Sequence, residues 1–373
     1  MSVYLDYNAT APIRPTAAAA VSAALEIGAN PSSTHAAGRK ARAVIEAARA
    51  EIGALAGATA DAVTFVSGGV EANALAIESA VAAGFERVIV SAAEHDAVMA
   101  TALAAVASLE IWPVGADGVA DLDWLVDALG CGPALVCLMA ANNETGVIQP
   151  VREAAALVRD AEGWLHVDAV QAAGKLHLEF AALGADTLAL SAHKIGGPQG
   201  VGALIAGPSA TLARRLHGGG QERGRRAGTE NLSGIAGFGA AARAALDDLA
   251  ALPSQASWRD ALALQMEAAG AVILGAGAPR LPQTLCAATP GFASEVQVMA
   301  LDLAGVMISA GAACSSGKVK ASRVVEAMGR LDLAACSIRV SGGWASSADD
   351  WRHCGEAWLE ALARHATRVR EFA

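Results

Sequence analysis

The chain has 373 residues, of which 54% are hydrophobic and 17% charged, so it is long enough for a large core shared by two or three structural units. The formal net charge of −10 argues against a nucleic-acid binder and leaves no polybasic patch for anionic lipid. We find no secretory signal and no uncharged apolar stretch long enough to span a bilayer. The six cysteines form neither a CxxC pair nor a zinc-type cluster, which predicts a reducing cytoplasm and no bound metal.

From about residue 35 to residue 250, helical and strand-like patterns alternate. This βαβα order predicts a mainly parallel sheet with helices on both faces. The predicted elements are, in chain order, a helix at 36–56, a strand at 62–66, a helix at 71–83, a strand at 87–90, a helix at 96–107, and strands at 134–139, 165–167, 187–190 and 201–205.

After about residue 250 the pattern changes, and shorter apolar segments alternate with helices. We interpret this part as a smaller α/β domain. We expect a large domain over residues 14–250 and a small domain formed by residues 1–13 and 251–373. The predicted strands of the small domain are 272–274, 284–288, 306–309 and 337–341, and its helices are 295–304, 321–329 and 347–365.

Lys194 follows a buried strand and precedes a glycine-rich turn. Burial favours the neutral amine, which attacks carbonyls, so the position suits Schiff-base chemistry. The alternative is a lysine whose stem lies on apolar surface with its amine in water. In a parallel sheet, ligands bind beyond the carboxyl ends of the strands. Polar or glycine residues follow several of the predicted strands in the same way: Gly68, Gly69, His95, Asn142 to Glu144 and Asp168.

Asp168 directly follows a short apolar strand and lies 26 positions before Lys194. A buried carboxylate there needs a cation, and an acid near a Schiff-base lysine is what pyridoxal phosphate requires. The alternative is a helix N-cap for the next segment. His95 follows another strand, where it suits stacking on a planar ring or proton transfer. The alternative for His95 is an ordinary polar residue of a loop.

A strand that ends in Ser-Gly-Gly and opens a helix suggests a phosphate site at the backbone of Gly69 and Val70, or else an ordinary turn. The segment GGGQERGRRAGTEN, residues 218–231, contains Thr229 and three arginines suited to anions, unless it is simply a solvated basic loop. Cys314 lies among small residues, so we expect an exposed and reactive thiol rather than a buried one. Arg339 lies within a strand-like run, and a buried arginine needs an anion such as a substrate carboxylate.

Together these segments resemble the cysteine desulfurases, a group of pyridoxal-phosphate enzymes within the class-V aminotransferases. The resemblance extends almost from end to end and follows the order of the family. Its segments are YLDYNATAP, NPSSTHAAGRKAR, SGGVEAN, EHDAV, NNETGVIQP, HVDAVQAAGK, SAHKIGGPQGVGAL, GGGQERGRRAGTEN, GAACSSGK and SIRVS.

The resemblance implies the α/β fold of type I, aspartate-aminotransferase-like pyridoxal-phosphate transferases, with a seven-stranded, mainly parallel sheet. It implies that Lys194 forms the Schiff base and moves protons, that Asp168 holds the pyridinium and that His95 stacks on the ring. The other implied contacts are Gln171 with the phenolic oxygen, Asn143 with that oxygen and the substrate carboxylate, and Arg339 with the carboxylate. Gly69, Val70, Ser191 and His193 are expected to hold the phosphate, with Thr229 reaching across from a second subunit.

The implied reaction converts L-cysteine into L-alanine and a persulfide on Cys314, which passes to an acceptor such as an iron–sulfur scaffold. Cys314 would also be the residue that transiently binds a cluster. A selenocysteine lyase, another enzyme of the class-V group and a non-catalytic binding protein are the alternatives. Two positions depart from the family pattern. Val70 stands where many relatives have a threonine, so only its backbone N–H is expected to contact the phosphate. Gly342 stands where a bulky aliphatic residue is common, which is expected to loosen the strand that carries Arg339.

Overall fold

A computed structural model describes residues 2–106, 108–311 and 321–371. Its strands pair into one large sheet, one smaller sheet and a two-stranded ribbon. The strands are β1 (Val3–Tyr4), β2 (Val63–Val66), β3 (Arg87–Ser91), β4 (Ser108–Trp112), β5 (Leu135–Met139), β6 (Trp164–Asp168), β7 (Thr187–Ser191), β8 (Gly202–Ala206), β9 (Val272–Ile273), β10 (Thr284–Ala288), β11 (Val306–Met307), β12 (Ser309–Ala310) and β13 (Ser337–Ser341).

The helices cover both faces of the large sheet and one side of the smaller one. They are α1 (Pro15–Leu25), α2 (Ala36–Ala56), α3 (Gly69–Ala82), α4 (Asp96–Ala105), α5 (Leu122–Leu129), α6 (Val151–Asp160), α7 (Phe180–Leu183), α8 (Leu232–Asp248), α9 (Gln255–Ala268), α10 (Ser294–Leu303), α11 (Arg323–Ala327) and α12 (Ala348–Glu371). None of the described helices is long and apolar enough to cross a membrane.

The large sheet has seven strands in the order β2-β8-β7-β6-β5-β3-β4. Only β8 runs antiparallel to its neighbours, so the predicted seven-stranded, mainly parallel sheet is confirmed. The central strands β5, β6, β7 and β8 are buried along their whole length, as expected for strands with helices on both faces. All strands except β8 therefore place their carboxyl ends at one edge of the sheet.

The smaller sheet is antiparallel, in the order β12-β13-β10-β9. The predicted strand at 306–309 is wrong in one respect, because it divides in two. Its first half, β11, pairs with β1, and its second half, β12, pairs with β13. The N-terminal segment is thus joined to the C-terminal part of the chain. The predicted division into two domains stays a prediction, which this pairing and a separate apolar cluster around Trp351 and Trp358 support.

The departure at Gly342 has a packing explanation. A Cβ atom at this position would lie 3.0 Å from Nε1 of Trp351 and 2.7 Å from Oε1 of Gln255. The indole therefore occupies the space that an aliphatic side chain would need. The neighbouring strand β13 is fully buried and pairs with β10 at all five residues, so the expected loosening of this strand is not observed.

We predict that Gly342→Ala lowers the free energy of unfolding by about 1–3 kcal/mol, because the added methyl group overpacks the site. Urea denaturation measures this difference. Gly277→Ala is the matched control, since a Cβ there meets nothing within 4 Å. The control is expected to change stability by no more than about 0.5 kcal/mol. Equal stability of the two variants would contradict the packing explanation.

Candidate active site

A cavity of about 390 Å³ lies at the edge of the large sheet where the parallel strands end. Residues from the N-terminal segment, the strand ends and the smaller sheet meet there. Most of the residues predicted from the sequence line it: Gly69, Val70, His95, Asn143, Asp168, Gln171, Ser191, His193, Lys194 and Arg339.

Thr229 is exposed in the single chain and does not line the cavity. Cys314 lies outside the described residues. Gly311, three positions earlier in the sequence, does line the cavity wall.

Lys194 lies in a single 3-10 turn that directly follows β7. Its Nζ donates hydrogen bonds to the backbone oxygens of Asn8, at 2.6 Å, and Ala9, at 2.8 Å. The side chain is half-buried rather than fully buried, because the cavity opens beside it. The N-terminal segment therefore forms the surface against which this amine is held.

A second amine, on Lys175, was not predicted from the sequence. Its Nζ donates to Oε1 of Gln171 at 2.6 Å and to Oδ1 of Asn8 at 2.9 Å. Burial, together with the charges of Lys194 and Arg339, holds the pKa of Lys175 well below its usual range. Because Oε1 of Gln171 accepts from Lys175, the amide N–H2 group of Gln171 is directed elsewhere, and it donates to the backbone oxygen of Asn8 at 2.9 Å.

Asp168 is the last residue of β6 and is almost fully buried. Its Oδ1 accepts a hydrogen bond from the backbone N–H of Val170 at 2.9 Å, and its Oδ2 accepts one from Nδ2 of Asn73 at 2.8 Å. The residues after Asp168 form a turn and not a helix, so the alternative of a helix N-cap is wrong. Asn73, on α3, is a partner that the strand pattern could not reveal.

His95 is the N-cap residue of α4, and its Nδ1 accepts a hydrogen bond from the backbone N–H of Ala97 at 3.1 Å. In the neutral ring this contact places the proton on Nε2. Because His95 lines the cavity, its ring can face a planar ligand. His95 therefore lies in a loop and lines the cavity, and its stacking and proton-transfer roles stay predictions.

The start of α3 forms the wall of a second, adjoining cavity that includes Ser191 and His193. Backbone N–H groups at a helix start have no partner within the helix and attract anions. Val70, the second residue of α3, is exposed and brings no hydroxyl group. Burial and the charges of Lys194 and Lys175 lower the pKa of His193 to about 4, so its ring is neutral at physiological pH.

Arg339, on β13, is almost fully buried and pairs with a carboxylate of the N-terminal segment. Its Nη2 donates to Oδ1 of Asp6 at 2.6 Å, and its Nη1 donates to the backbone oxygen of Asn143 at 3.1 Å. The Nε atom has no hydrogen-bond partner among the described residues. The buried arginine thus has an anion, Asp6, which was not predicted, and its Nε–H group is a donor without a partner among the described residues.

The arginines of the segment 218–231 do not form an open anion site in the single chain. Arg223 pairs with Asp61, and Arg226 pairs with Glu71. Arg225 donates to Oγ1 of Thr64 at 3.2 Å. In the single chain these guanidinium groups contact residues in or next to β2 and α3, and Arg223 is exposed. An anion-binding role for this segment stays a prediction.

Three observations show that the residues of this cavity suit pyridoxal phosphate. An amine (Lys194) and a buried carboxylate (Asp168) line the same space. The helix start beside it suits a phosphate. A Cβ on Gly69 would lie 3.0 Å from Cγ2 of Val170, so this wall stays open only because the residue is glycine. The described residues contain no group of acidic, histidine and cysteine side chains that could hold a metal ion.

Comparisons with known proteins give a consistent result. The model of the family described as aminotransferase class-V matches residues 3–351. A cysteine desulfurase of Frankia sp. is 42% identical, over 100% of this chain and 93% of that protein. A cysteine desulfurase IscS of Dictyoglomus turgidum is 35% identical, over 100% of this chain and 96% of that protein.

Among solved structures, a NifS-like protein from Rickettsia africae superposes with a TM-score of 0.89 at 30% identity. The superposition covers 97% of this chain and 100% of that one. These matches confirm the predicted fold and the resemblance on which it was based. The chain belongs to the cysteine desulfurases of the class-V aminotransferase family, enzymes that depend on pyridoxal 5′-phosphate.

Proposed function

We propose that this enzyme removes sulfur from L-cysteine, releases L-alanine and leaves the sulfur as a persulfide on Cys314. The observation that supports this most strongly is the single cavity lined by Lys194, Asp168 and Arg339. It offers an amine for the cofactor aldehyde, an acid for the cofactor ring and a guanidinium for the substrate carboxylate. The chain is 42% identical to a protein named a cysteine desulfurase, which favours this chemistry over transamination.

Pyridoxal phosphate, when bound, supplies a cationic ring that stabilises negative charge at the substrate α-carbon. In our proposal Asp168 keeps a proton on the ring nitrogen, and Gln171 directs its amide N–H2 to the phenolic oxygen, beside Asn143. His95 stacks on the ring and assists proton transfer. The phosphate is held by Gly69, Val70, Ser191 and His193, with Val70 contributing only its backbone N–H.

Lys194 would bind the cofactor covalently and then move the proton at the substrate α-carbon. The structure supports this because Nζ lies in the cavity wall within reach of two backbone acceptors. Those carbonyl groups give the amine a defined position. They also leave it dependent on the N-terminal segment, since they belong to Asn8 and Ala9.

Arg339 would bind the substrate carboxylate, with Asn143 beside it. The structure supports this because Asp6 and the backbone of Asn143 fix the guanidinium, while Nε keeps a donor to spare. Buried donors without partners cost free energy, and a carboxylate would satisfy this one.

Cys314 would act as a thiolate that attacks the sulfur of the substrate. The C–S bond of cysteine breaks, an S–S bond forms on Cys314, and the former carbon partner of the sulfur gains a hydrogen to give alanine. Gly311 lines the cavity, and three extended residues span at most about 11 Å, so the chain has the length to bring a thiol to the site. The persulfide would then pass to an acceptor, for which we propose an iron–sulfur scaffold or another sulfur carrier.

We also propose that the enzyme works as a homodimer in the cytoplasm. The position of Thr229 supports the dimer. This residue is expected to contact the cofactor phosphate, yet in the single chain it is exposed and lies outside the cavity. Across a dimer interface the same residue could reach the partner's site. Light scattering of the purified protein gives the oligomeric state, and a monomer would contradict this part.

The decisive experiment is mass spectrometry of the protein after incubation with L-cysteine. We expect one added sulfur atom on Cys314, together with released alanine. Cys314→Ser should keep the cofactor absorbance and lose both products. Cys131→Ser is the control, since Cys131 is a free and exposed thiol. Alanine and sulfide released by Cys314→Ser at the wild-type rate would refute the nucleophile, and a keto acid or a strong preference for selenocysteine would favour the alternatives.

A second prediction concerns Arg339. Arg339→Lys keeps the charge but loses the planar fork, so the KM for L-cysteine is expected to rise about tenfold or more. Steady-state kinetics measures the change, and the cofactor absorbance shows that the site is otherwise intact. Arg352→Lys, an exposed residue paired with Asp349, is the matched control and should leave KM unchanged. A normal KM for Arg339→Lys would mean that another group binds the carboxylate.

A further inference from the structure

Four buried side chains form a hydrogen-bonded series that ends on Asp168. Trp164 and His166 lie on β6, Thr187 lies on β7, and Asn73 lies on α3. The distances are 3.3 Å from Trp164 Nε1 to Thr187 Oγ1 and 2.9 Å from Thr187 Oγ1 to His166 Nδ1. The distance from His166 Nε2 to Asn73 Oδ1 is 2.9 Å, and the distance from Asn73 Nδ2 to Asp168 Oδ2 is 2.8 Å.

The charge at one end gives the series a single direction. A carboxylate only accepts hydrogen bonds, so Asn73 must turn its N–H2 group toward Asp168 and its Oδ1 toward His166. His166 must then donate from Nε2. At the other end, the indole N–H of Trp164 can only donate, so the Thr187 hydroxyl oxygen accepts from it.

His166 is neutral, which determines its other nitrogen. Burial lowers the pKa of His166 to about 3, and the side chain has no exposed surface. A neutral ring with its proton on Nε2 has an acceptor at Nδ1, so the Thr187 hydroxyl must donate there. Besides Asp168 itself, the other titratable groups near the Asp168 end of the series are Glu94 and Cys137. Burial raises the pKa of both Glu94 and Cys137, which favours the uncharged form of each side chain.

From this arrangement we infer that His166 and Thr187 are positioning residues. They hold the amide of Asn73 with its N–H2 group toward Asp168, and through it they support the proton on the cofactor ring nitrogen. The inference rests on the proposed function, in which Asp168 contacts that nitrogen. A series of polar groups that served only to fill the core would stabilise the fold without any effect on the protonation of the ring.

Thr187→Val tests the series, since it removes the hydroxyl and keeps the shape. Without the hydroxyl, Nδ1 of His166 loses its donor and the ring is held only through Nε2, so the ring positions the Asn73 amide less firmly behind Asp168. We expect the dissociation constant of pyridoxal phosphate from the apoprotein to rise severalfold, up to about tenfold, because the hydrogen bond from Asn73 to the charged Asp168 is weakened. The ring nitrogen of the bound cofactor, observed by 15N NMR, should lose its proton at a pH about one unit lower.

Two variants serve as controls. Thr187→Ser keeps a hydroxyl. Its dissociation constant for pyridoxal phosphate should lie within about twofold of the wild-type value, and its ring nitrogen should titrate as in wild type. Thr64→Val removes another fully buried threonine hydroxyl from the same sheet, one that contacts Arg225 and no member of the series. It should leave cofactor affinity and the ring-nitrogen titration unchanged, even if it lowers the melting temperature.

The wild-type protein gives an independent test that needs no variant. 15N-labelled histidine should show a buried ring with its proton on Nε2, neutral wherever the protein is folded. A proton on Nδ1, or a charged ring, would overturn the inference. So would a Thr187→Val protein with normal cofactor affinity and a normal ring-nitrogen titration. If wild-type protein binds the cofactor but forms no alanine, the proposed function fails, while these binding readouts still decide the role of the series.

Discussion

The site depends on a carboxylate that is buried at the end of a central strand. A buried charge is tolerated only where hydrogen bonds or an opposite charge compensate it. At Asp168 the compensation comes from the turn after β6 and from Asn73 on α3, so the strand, the turn and the helix must be in place together. This requirement explains why polar residues occur in the otherwise apolar region where β6, β7 and α3 pack.

The N-terminal segment is the second constraint. The backbone of Asn8 accepts from Lys194 and Gln171, its side chain contacts Lys175, and Asp6 binds Arg339. One short stretch therefore links the cofactor side of the cavity to the substrate side. Because each contact is a hydrogen bond or an ion pair with defined geometry, a shift of this stretch would disturb both sides at once.

The sequence pattern was sufficient to predict six of the seven strands of the large sheet, because the buried strands are short apolar runs between helices with clear periodicity. The helix Ala36–Ala56 and the strands Thr284–Ala288 and Ser337–Ser341 were predicted to the residue. The edge strand Ser108–Trp112 was missed, since an exposed edge lacks a continuous apolar pattern. The alanine-rich helix Pro15–Leu25 was also missed, because alanine gives little contrast between its faces.

The sequence predicted which residues meet in the cavity, but not the partners that orient them. Asp6 and Asn73 are short polar residues without a distinctive local pattern, and their roles arise only from contacts across the fold. Lys175 follows a glycine in the sequence, and only the packed structure shows its amine between two amides. Roles that rest on a second subunit or on Cys314 remain predictions.

The ion pair between Asp6 and Arg339 joins residues 333 positions apart in the chain. During synthesis Asp6 therefore remains without its partner for on the order of tens of seconds, until the strand that carries Arg339 has been made. Until then the cavity lacks Arg339, which lines its substrate side. A ribosome that stalls before β13 would leave a chain that contains the strands of the large sheet but lacks Arg339, the residue proposed to bind the substrate carboxylate.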